Sequence, residues 1–409
     1  MKCNAWTAVL IGAGLVSLPA ITRAEEKPSS VITALSATTL SGYVDTSAHW
    51  NPGTGNANLV PVAPNGVPGG TKADGFNLDV VNLTLNHPVS EGDWGAGYNA
   101  TLLFGPDAAG YNTTFTGAAS SDFSLKDAYV ELHAPLGSGL DIKLGTYTET
   151  LGYEVYETPN NPNYTRSYGY EIEPTAMTGL LLTYQFSSAV TAMFGICDAW
   201  SAGINARGFA PYHTEAESFR TYMGSLSFTA PTNMSFLAGS TLAGGIISGY
   251  DAGNDVIKTS WYIGGTINTP ITGVKLGFAY DYVNLAKNMI GGNLHNSGYQ
   301  NAVGVYLSWQ ATEKLSLNTR GEYFSQSGYL ADDALQRLSL GMASSAFEVT
   351  QTVQYDLWKN VLARVEFRWD HAEHGNAYGG VTPDAVAGTP AAAAADNAFI
   401  LAANLVYKF

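Results

Sequence analysis

The stretch that decides the fold is Asn397-Ala-Phe-Ile-Leu-Ala-Ala-Asn-Leu-Val-Tyr-Lys-Phe409. Every second residue from Phe399 to Phe409 is apolar, whereas the residues between them include Asn404 and Lys408. Side chains of a β-strand point alternately to its two faces, so this pattern predicts a strand between an apolar and a wetter environment. An edge strand of a soluble β-sandwich shows the same alternation, so both architectures remain open at this point.

The amino-terminal segment has the features of a secretory signal peptide. Lys2 precedes an apolar run from Ala5 to Ile21, and Thr22-Arg23-Ala24 follows that run. A short basic start, an apolar middle and a small-x-Ala end predict cleavage after Ala24. A membrane anchor is disfavoured because no cluster of charges follows the run. We therefore expect residues 1–24 to be removed and residues 25–37 to form a short periplasmic segment.

Cleavage after Ala24 would leave a strongly acidic chain. The basic count falls from 19 to 17 against 34 acidic residues, and the net charge goes from −15 to −17. This charge disfavours nucleic acid as a partner. Cys3 precedes the apolar run, which argues against a lipoprotein, and Cys197 is the one cysteine that remains. An intramolecular disulfide and a cysteine-based metal site are therefore excluded.

The composition is apolar, yet it contains no second long hydrophobic run. Hydrophobic residues make up 45% and charged residues 13% of the chain, which also has 45 Gly and 24 Tyr. A membrane protein without an apolar helix must be a closed barrel, because open strand edges cannot satisfy their hydrogen bonds in hydrocarbon. Two soluble domains are the alternative, but the chain has no linker-like boundary and no internal repeat of fixed period.

Alternating segments recur along the whole chain and predict sixteen strands. They lie near 38–50, 76–87, 94–104, 122–134, 140–147, 175–186, 189–200, 219–230, 233–247, 258–267, 274–283, 299–309, 315–324, 346–356, 361–371 and 397–409. In the second segment the alternation of apolar and polar residues is interrupted at Val80-Val81, which predicts a β-bulge. Fourteen or eighteen strands would result if 235–247 or 335–345 were misread.

The connections between these segments alternate in length, with eight long loops and seven short turns. Outer-membrane barrels have short periplasmic turns, longer extracellular loops and an even number of strands. A soluble sandwich has no reason to sort its loops in this way. We therefore predict an all-β fold, a transmembrane antiparallel β-barrel over residues 38–409, with the long loops extracellular.

Aromatic residues near strand ends fit the girdles that such barrels place at the membrane interfaces. The candidates are Trp50, Trp94, Phe104, Tyr184, Phe186, Trp200, Trp261, Trp309, Trp369, Tyr407 and Phe409. Because aromatics favour β-strands in any protein, this observation supports the barrel without proving it.

Charged residues on the parity opposite to the apolar one define the expected lumen. In 361–371 this parity carries Arg364, Glu366, Arg368 and Asp370. An arginine facing lipid at the bilayer midplane would cost about 2–4 kcal/mol, so these side chains are expected to face water. Two strands earlier, Arg320 and Glu322 occupy the same parity; Asp127, Glu131 and Lys143 complete the set of predicted pore-lining residues.

Two interpretations of this charged wall remain open. In the first, its arginines face acidic groups across a constriction, and the resulting field filters solutes by charge and size. In the second, the charges form a paired ladder that only stiffens the wall. The long loop from Glu149 to Pro174 supplies a constriction-loop candidate with Arg166, Glu171 and Glu173.

Several short motifs resemble the OmpL-like β-barrel porin family, also called porin type 2. They are Ser41-Gly-Tyr-Val-Asp45, Arg166-Ser167 followed by Met177-Thr-Gly179, Arg364-Val-Glu-Phe-Arg-Trp-Asp370 and the terminal Phe409. The alternating Leu405, Tyr407 and Phe409 also resemble the closing strand of bacterial outer-membrane barrels, which the assembly machinery reads. Met177 departs from the family, which often has His before the Thr-Gly pair.

This resemblance implies passive transport of small hydrophilic solutes across a bacterial outer membrane, and it carries no catalytic residues. The expected partners are outer-membrane lipid, the barrel-assembly machinery and the solutes themselves. General porins suggest a homotrimer by analogy. We expect no cofactor and no metal ion.

Two other functions remain as alternatives, namely a hydrolase barrel and a non-conducting structural or adhesive barrel. A hydrolase needs a nucleophile or an acid/base cluster at the rim, and the sequence has no motif of that kind. His371 and His374 are spaced by three residues and would lie on opposite faces of a strand. Asp251 to Asp255 and Asp332-Asp333 are acidic clusters that could hold calcium weakly, although solvated loop charges explain them better.

Overall fold

The computed structural model describes most of the chain beyond residue 36. The described residues are 37–54, 72, 74–89, 94–111, 122–148, 150–200, 204–205, 207, 220–250, 257–286, 288–290, 293–295, 297–327, 343–374, 377–378 and 395–409. The predicted signal peptide 1–24, residues 25–36 of the predicted periplasmic segment and the acidic clusters at Asp251 to Asp255 and Asp332-Asp333 lie outside them. No helix in this described part is long and apolar enough to cross a membrane.

Eighteen strands can be delimited in the described residues. They are β1 Thr39–Trp50, β2 Gly75–His87, β3 Gly95–Phe104, β4 Phe123–Ala134, β5 Leu140–Thr148, β6 Ala176–Gln185, β7 Val190–Cys197, β8 Thr221–Thr229, β9 Thr241–Tyr250, β10 Ile257–Asn268, β11 Val274–Leu285, β12 Asn288–Ile290, β13 Asn293–His295, β14 Gly298–Gln310, β15 Leu315–Gln326, β16 Ser345–Trp358, β17 Val361–Ala372 and β18 Asn397–Lys408. The helical segments are one α-helix, α1 Tyr168–Ile172, and short 3-10 turns at Pro106–Tyr111, Thr158–Asn160 and Ser235–Leu237.

Sixteen of these strands form one closed antiparallel barrel, as predicted, and β12 and β13 make a separate small hairpin. The barrel closes where β18 pairs with β1, with Val44 opposite Tyr407 and Trp50 opposite Leu401. Beyond the end of β18, the backbone N–H of Phe409 donates to the carbonyl oxygen of Gly42 over 3.0 Å, and the N–H of Gly42 donates back. Closure leaves no unpaired strand edge along the barrel, as a hydrocarbon environment requires.

The connections follow the predicted sorting by length except around β9. This strand begins at Thr241, so the prediction that it starts at residue 233 is wrong. Residues 230–240 instead form a connection with a 3-10 turn at Ser235–Leu237. That connection is longer than residues 251–256 at the other end of the strand, so length alone does not separate the two rims here. Elsewhere one end of the barrel carries short connections, which we call the short-turn rim, and the other is the long-loop rim.

The barrel strands show three register shifts, one of them in β16 between Asp356 and Trp358. The register between β1 and β2 shifts at Asp45 and Thr46, next to Val80, which confirms the predicted bulge. A second shift lies in β4, where Thr101 pairs with Asp127 and Leu102 pairs with Leu125. This second bulge was not predicted from the sequence, and it turns the side chain of Lys126 into the lumen together with that of Ser124.

The outer face of the barrel is apolar and exposed, as expected for contact with lipid. Predicted girdle residues such as Trp50, Trp94 and Trp309 are exposed. The prediction that Trp200 belongs to a girdle is wrong, because its ring is buried and its Nε1 donates to Ser260 Oγ over 3.0 Å. It therefore belongs to the interior and not to an interface girdle.

Candidate functional site

A segment of the long connection between β5 and β6 lies inside the barrel. This infolded segment, residues 150–175, makes contacts with opposite sides of the wall. Tyr164 Oη donates to Asp79 Oδ2 in β2 over 3.0 Å, and Tyr153 Oη lies 3.2 Å from Thr266 Oγ1 in β10. The side chains from Asn163 to Tyr170 are all buried. The segment therefore crosses and narrows the lumen.

Two wall carboxylates hold the backbone of this segment. The oxygens of Glu366 in β17 accept from the backbone N–H groups of Tyr164 and Thr165, over 2.6 and 2.9 Å. Glu322 in β15 accepts in the same way from Tyr168 and Gly169, over 2.6 and 2.7 Å. Each carboxylate thus satisfies two consecutive donors that an irregular buried backbone would otherwise leave unpaired.

Wall arginines bind the carbonyl oxygens of the same segment. Arg364 donates to Thr158 O over 2.9 Å, and Arg368 donates to Arg166 O over 2.5 Å. Arg320 donates to Thr165 O over 2.8 Å. The wall therefore supplies acceptors for the N–H groups of the segment and donors for its carbonyl groups.

Ion pairs orient these arginines. Arg320 lies 2.8 Å from Glu154 of the infolded segment and 3.2 Å from Glu348 of β16. Arg368 pairs with Asp370 over 2.7 Å. Since a buried charge without a partner is costly, the pairs explain how four wall charges persist in the interior. We call the set Glu154, Arg320, Glu322, Glu348, Arg364, Glu366, Arg368 and Asp370 the anchor network.

The anchor network corrects one expectation about the predicted pore-lining residues. Arg320, Glu322, Arg364, Glu366, Arg368 and Asp370 point inward as their parity predicts, but all six are buried. They do not face water, because the infolded segment covers them. Their carboxylates and guanidinium groups bind each other and the backbone of the infolded segment. The second sequence-based interpretation, a ladder of paired charges, included the ion pairs but not the contacts with the backbone.

The infolded segment has its own local order. Ser167 caps α1 through a 3.0 Å hydrogen bond from the backbone N–H of Tyr170 to its Oγ, and Glu154 accepts from the N–H of Ser167 over 2.9 Å. Arg166 donates to the carbonyl oxygens of Tyr156 and Tyr164, over 2.6 and 2.8 Å. Of the constriction-loop candidates, Arg166 thus stabilises the path of the segment itself.

The other two candidates lie at the end of α1, on the side of β11. Glu171 is half-buried and Glu173 is buried. Glu173 caps the helix through its backbone N–H, which donates to the carbonyl oxygen of Tyr170 over 3.3 Å, and its carboxyl group lies beside that of Asp281 in β11. A Cβ at Gly169 would lie 2.7 Å from Asp281 Oδ2, so glycine allows the chain to pass close to this carboxylate.

A second polar cluster joins the infolded segment to β1, β2 and the neighbouring long connections. His49 Nε2 lies 2.9 Å from Tyr164 Oη, and Lys72 Nζ lies 3.1 Å from Asp107 Oδ2 and 3.7 Å from Asp79 Oδ1. Burial lowers the pKa of Lys72, but the carboxylates of Asp107, Asp79 and Asp45 raise it above its ordinary value. Lys72 therefore stays charged and links these elements.

Part of the inner face of β6 to β9 is apolar, whereas the sequence predicted a polar lumen. Met177, Leu181, Met223 and Ile247 are buried there in one cluster with Leu151, Tyr168 and Ile172 of the infolded segment. Glycines in the wall allow close contact: a Cβ at Gly245 would collide with the side chain of Leu151. This side holds the segment by apolar packing.

The inner face of β4 and β5 keeps access to solvent. Glu131 and Lys143, both predicted to line the pore, are half-buried and lie 3.8 Å apart. Asp127 is also half-buried and pairs with Lys126 over 3.1 Å. This is the part of the wall where the predicted pore-lining residues meet water.

The two histidines considered for chemistry do not come together. His371 Nδ1 lies 3.1 Å from Asn397 Oδ1, whereas His374 Nδ1 lies 3.1 Å from Ser345 Oγ. In the part of the chain that the structure describes, no group of three or more His, Cys, Asp or Glu side chains is arranged to hold a metal ion.

Sequence reasoning missed Glu154, Glu348 and Tyr164 as members of the site. Glu348 has the same parity as Thr350 and Thr352, so alternation in β16 would have placed it inside. Glu154 and Tyr164 lie in irregular backbone, where no periodicity indicates direction.

A closed sixteen-stranded barrel with an irregular segment fixed inside it defines the class of outer-membrane β-barrel channels. Within this class, residues 37–409 match the family described as "Putative beta-barrel porin-2, OmpL-like". The chain belongs to this porin family. No curated protein matches the chain.

Solved outer-membrane proteins share the fold at low sequence identity. The outer membrane channel DcaP of Acinetobacter baumannii is 13% identical with a TM-score of 0.56, covering 91% of this chain and 97% of its own. An anion-selective porin from Comamonas acidovorans is 14% identical with a TM-score of 0.55, covering 91% and 99%. A trimer form of OmpT from Vibrio cholerae is 12% identical with a TM-score of 0.53, covering 91% and 99%.

Proposed function

We propose that this protein is a porin that lets small hydrophilic solutes and ions diffuse passively across a bacterial outer membrane. The observation that carries the proposal is the infolded segment, which narrows a closed barrel while polar side chains of β4 and β5 keep access to solvent. A channel that selects by size needs a wall that lipid cannot enter and a rigid obstruction inside it. The anchor network supplies the rigidity.

Planar-bilayer recording of the purified full chain tests this proposal. We expect stable unitary conductance that rises with salt concentration, and swelling of liposomes in small sugars but not in long oligosaccharides. Glu366→Gln weakens the hold on Tyr164 and Thr165, so its conductance should fluctuate more than that of Glu313→Gln, a change in an exposed short turn. A silent wild-type barrel that is correctly folded would contradict the proposal.

A non-conducting structural barrel is the second candidate, favoured by one specific observation. Inner side chains near the long-loop rim, such as Phe324, Ala372 and Ile400, are buried, and so is the run from Asn163 to Tyr170. If this packing seals the barrel, the wild type would be silent and only variants with a loosened segment would conduct. Recording wild type and Glu366→Gln side by side separates the two candidates.

We further propose that the barrel carries no catalytic activity. His371 and His374 bind different partners and form no acid/base pair. Hydrolysis of a peptide or ester probe by the purified barrel, lost on His374→Ala, would contradict this proposal.

Export and assembly complete the proposal. The signal peptide 1–24 would direct the chain out of the cytoplasm, and Leu405, Tyr407 and Phe409 would be read by the barrel-assembly machinery. Deleting Phe409 removes its backbone pair with Gly42, and we expect fewer barrels in the membrane with unchanged unitary conductance. Normal membrane levels of the deletion variant would argue against this role.

We also propose a homotrimer, which the trimer form of the structurally similar OmpT supports only by analogy of fold. Conductance in steps of three and a trimeric mass in detergent are expected. A monomeric mass at concentrations that preserve conductance would overturn this part of the proposal.

A further inference from the structure

The interior is not electrically neutral where solvent reaches it. On the inner face of β4 and β5, from Lys126 near the long-loop rim to His133 and Asp141 near the short-turn rim, the described charged side chains form a group that we call the vestibule charges. They are Lys126, Asp127, Glu131, His133, Asp141 and Lys143, together with Glu157 of the infolded segment. Four carboxylates thus face two lysines, with one histidine at the edge.

Both lysines of this group are already engaged. Lys126 Nζ lies 3.1 Å from Asp127 and 3.0 Å from Glu157, and only 3% of its side chain is exposed. Lys143 lies 3.8 Å from Glu131 and 4.7 Å from the centre of the Tyr129 ring. Each lysine is therefore neutralised by a carboxylate and partly covered by an aromatic ring.

The carboxylates outnumber these partners, and two of them keep contact with solvent. The exposed fraction of the side chain is 27% for Glu131 and 19% for Asp141. Within the described residues, Asp141 forms an ion pair with His133 over 2.6 Å. An acidic surplus on a solvent-accessible wall produces a negative potential, which a low-dielectric barrel focuses into the lumen.

The wall arginines of the anchor network lie on other strands and are buried. Arg320 and Arg368 are fully buried, and Glu154, Glu348 and Asp370 neutralise them. Arg364 is also buried and donates to backbone carbonyl groups. The anchor network therefore adds no surplus of positive charge to the lumen.

Building on the proposed porin function, we propose that this channel prefers cations, and that Glu131 and Asp141 are the specificity-determining residues. The solute class is small cationic or neutral hydrophilic molecules that enter past β4 and β5. This preference is opposite to that of the structurally similar anion-selective porin from Comamonas acidovorans.

The potential can be measured without relying on conductance. In a full-length Cys197→Ser background, Asn99→Cys places a thiol on β3, where residue 99 pairs with Tyr129 of β4. The modification rates with a cationic and an anionic methanethiosulfonate reagent are each divided by the rate with free 2-mercaptoethanol. We expect the normalised cationic rate to be ~10-fold higher, the low end of electrostatic focusing in charged clefts.

Variants and a matched control decide the outcome. Glu131→Gln with Asp141→Asn should bring the ratio of the two rates close to one, whereas Glu313→Gln in an exposed short turn should leave it unchanged. Equal or faster anionic modification in the parent, or a ratio that the double variant does not lower, would overturn the cation preference. A silent bilayer would contradict the porin function alone, because the reagent ratio still decides the sign of the potential.

Reversal potentials in a KCl gradient give the second readout. A conducting parent should favour potassium over chloride, and the double variant should reduce that ratio toward one. A parent channel that prefers chloride would contradict the proposed cation preference and would leave the proposed porin function intact.

Discussion

The inner faces of β15 to β17 and of β6 to β9 hold the same segment by different forces. On the first side, Glu322, Glu366 and Arg320 bind backbone groups at fixed distances. On the second, Leu181 and Ile247 only exclude water together with the apolar side chains of the segment. Hydrogen bonds are directional and apolar contact is not, so the charged side defines the path and the apolar side contributes contact area.

Arg320→Met tests the charged side and should have the largest effect. The substitution leaves Glu154 and Glu348 buried without their shared partner, so the free energy of unfolding should fall by about 3–5 kcal/mol. Denaturant unfolding in lipid vesicles measures this loss, and protease cleavage near the exposed Asn160 reports whether the segment has left its path. Lys275→Met, at an exposed position, is the control; a loss as small as that of the control would refute the assigned role.

Leu181→Ala tests the apolar side with a smaller expected effect. Removing a buried leucine side chain should cost about 2–3 kcal/mol through lost packing and a residual cavity. Because the anchor network stays intact, protease cleavage near Asn160 should remain at the parent rate. Leu226→Ala removes the same side chain from the exposed outer face and serves as the matched control. Enhanced cleavage in Leu181→Ala would show that the apolar side also determines the path.

Glu366→Gln should produce the smallest of the three losses. Glutamine keeps one acceptor oxygen but loses the charge that strengthens both bonds from Tyr164 and Thr165, so about 1–2 kcal/mol is expected. Hydrogen exchange at these two amides should accelerate, while exchange in the strands should not change. Protection equal to that of the parent would mean that the carboxylate is not what holds this backbone.

Much of the barrel can be predicted from alternation, and the reason is geometric. In a strand with lipid on one face, apolar outward-facing residues alternate with inward-facing residues. Arg364, Glu366 and Arg368 could therefore be assigned to the interior from sequence alone. The bulge at Val80-Val81 also interrupts that alternation visibly. The start of β9 was missed because apolar residues continue through the 3-10 turn at Ser235–Leu237.

The candidate site was harder to predict, for two physical reasons. Glu322 and Glu366 bind backbone amides, which all residues except proline possess, so their partners leave no pattern in the sequence. On the other side, Met177 and Leu181 face inward while Leu180 and Leu182 face outward. When both faces of a strand are apolar, parity cannot show which face meets lipid.

Recognition of backbone groups by two wall carboxylates has a consequence for how such a protein can change. The contacts of Glu366 and Glu322 with the segment depend on amide groups, so they can persist when a side chain such as that of Thr165 is replaced by another that fits the space. Tyr164 and Gly169 are more restricted, because the Tyr164 hydroxyl donates to Asp79 and a Cβ at Gly169 would lie 2.7 Å from Asp281. Side chains of the segment that point away from the wall are then free to vary during evolution. We expect the barrel to act as a frame that accepts segments of the same length with different inward-facing side chains, without a new fold.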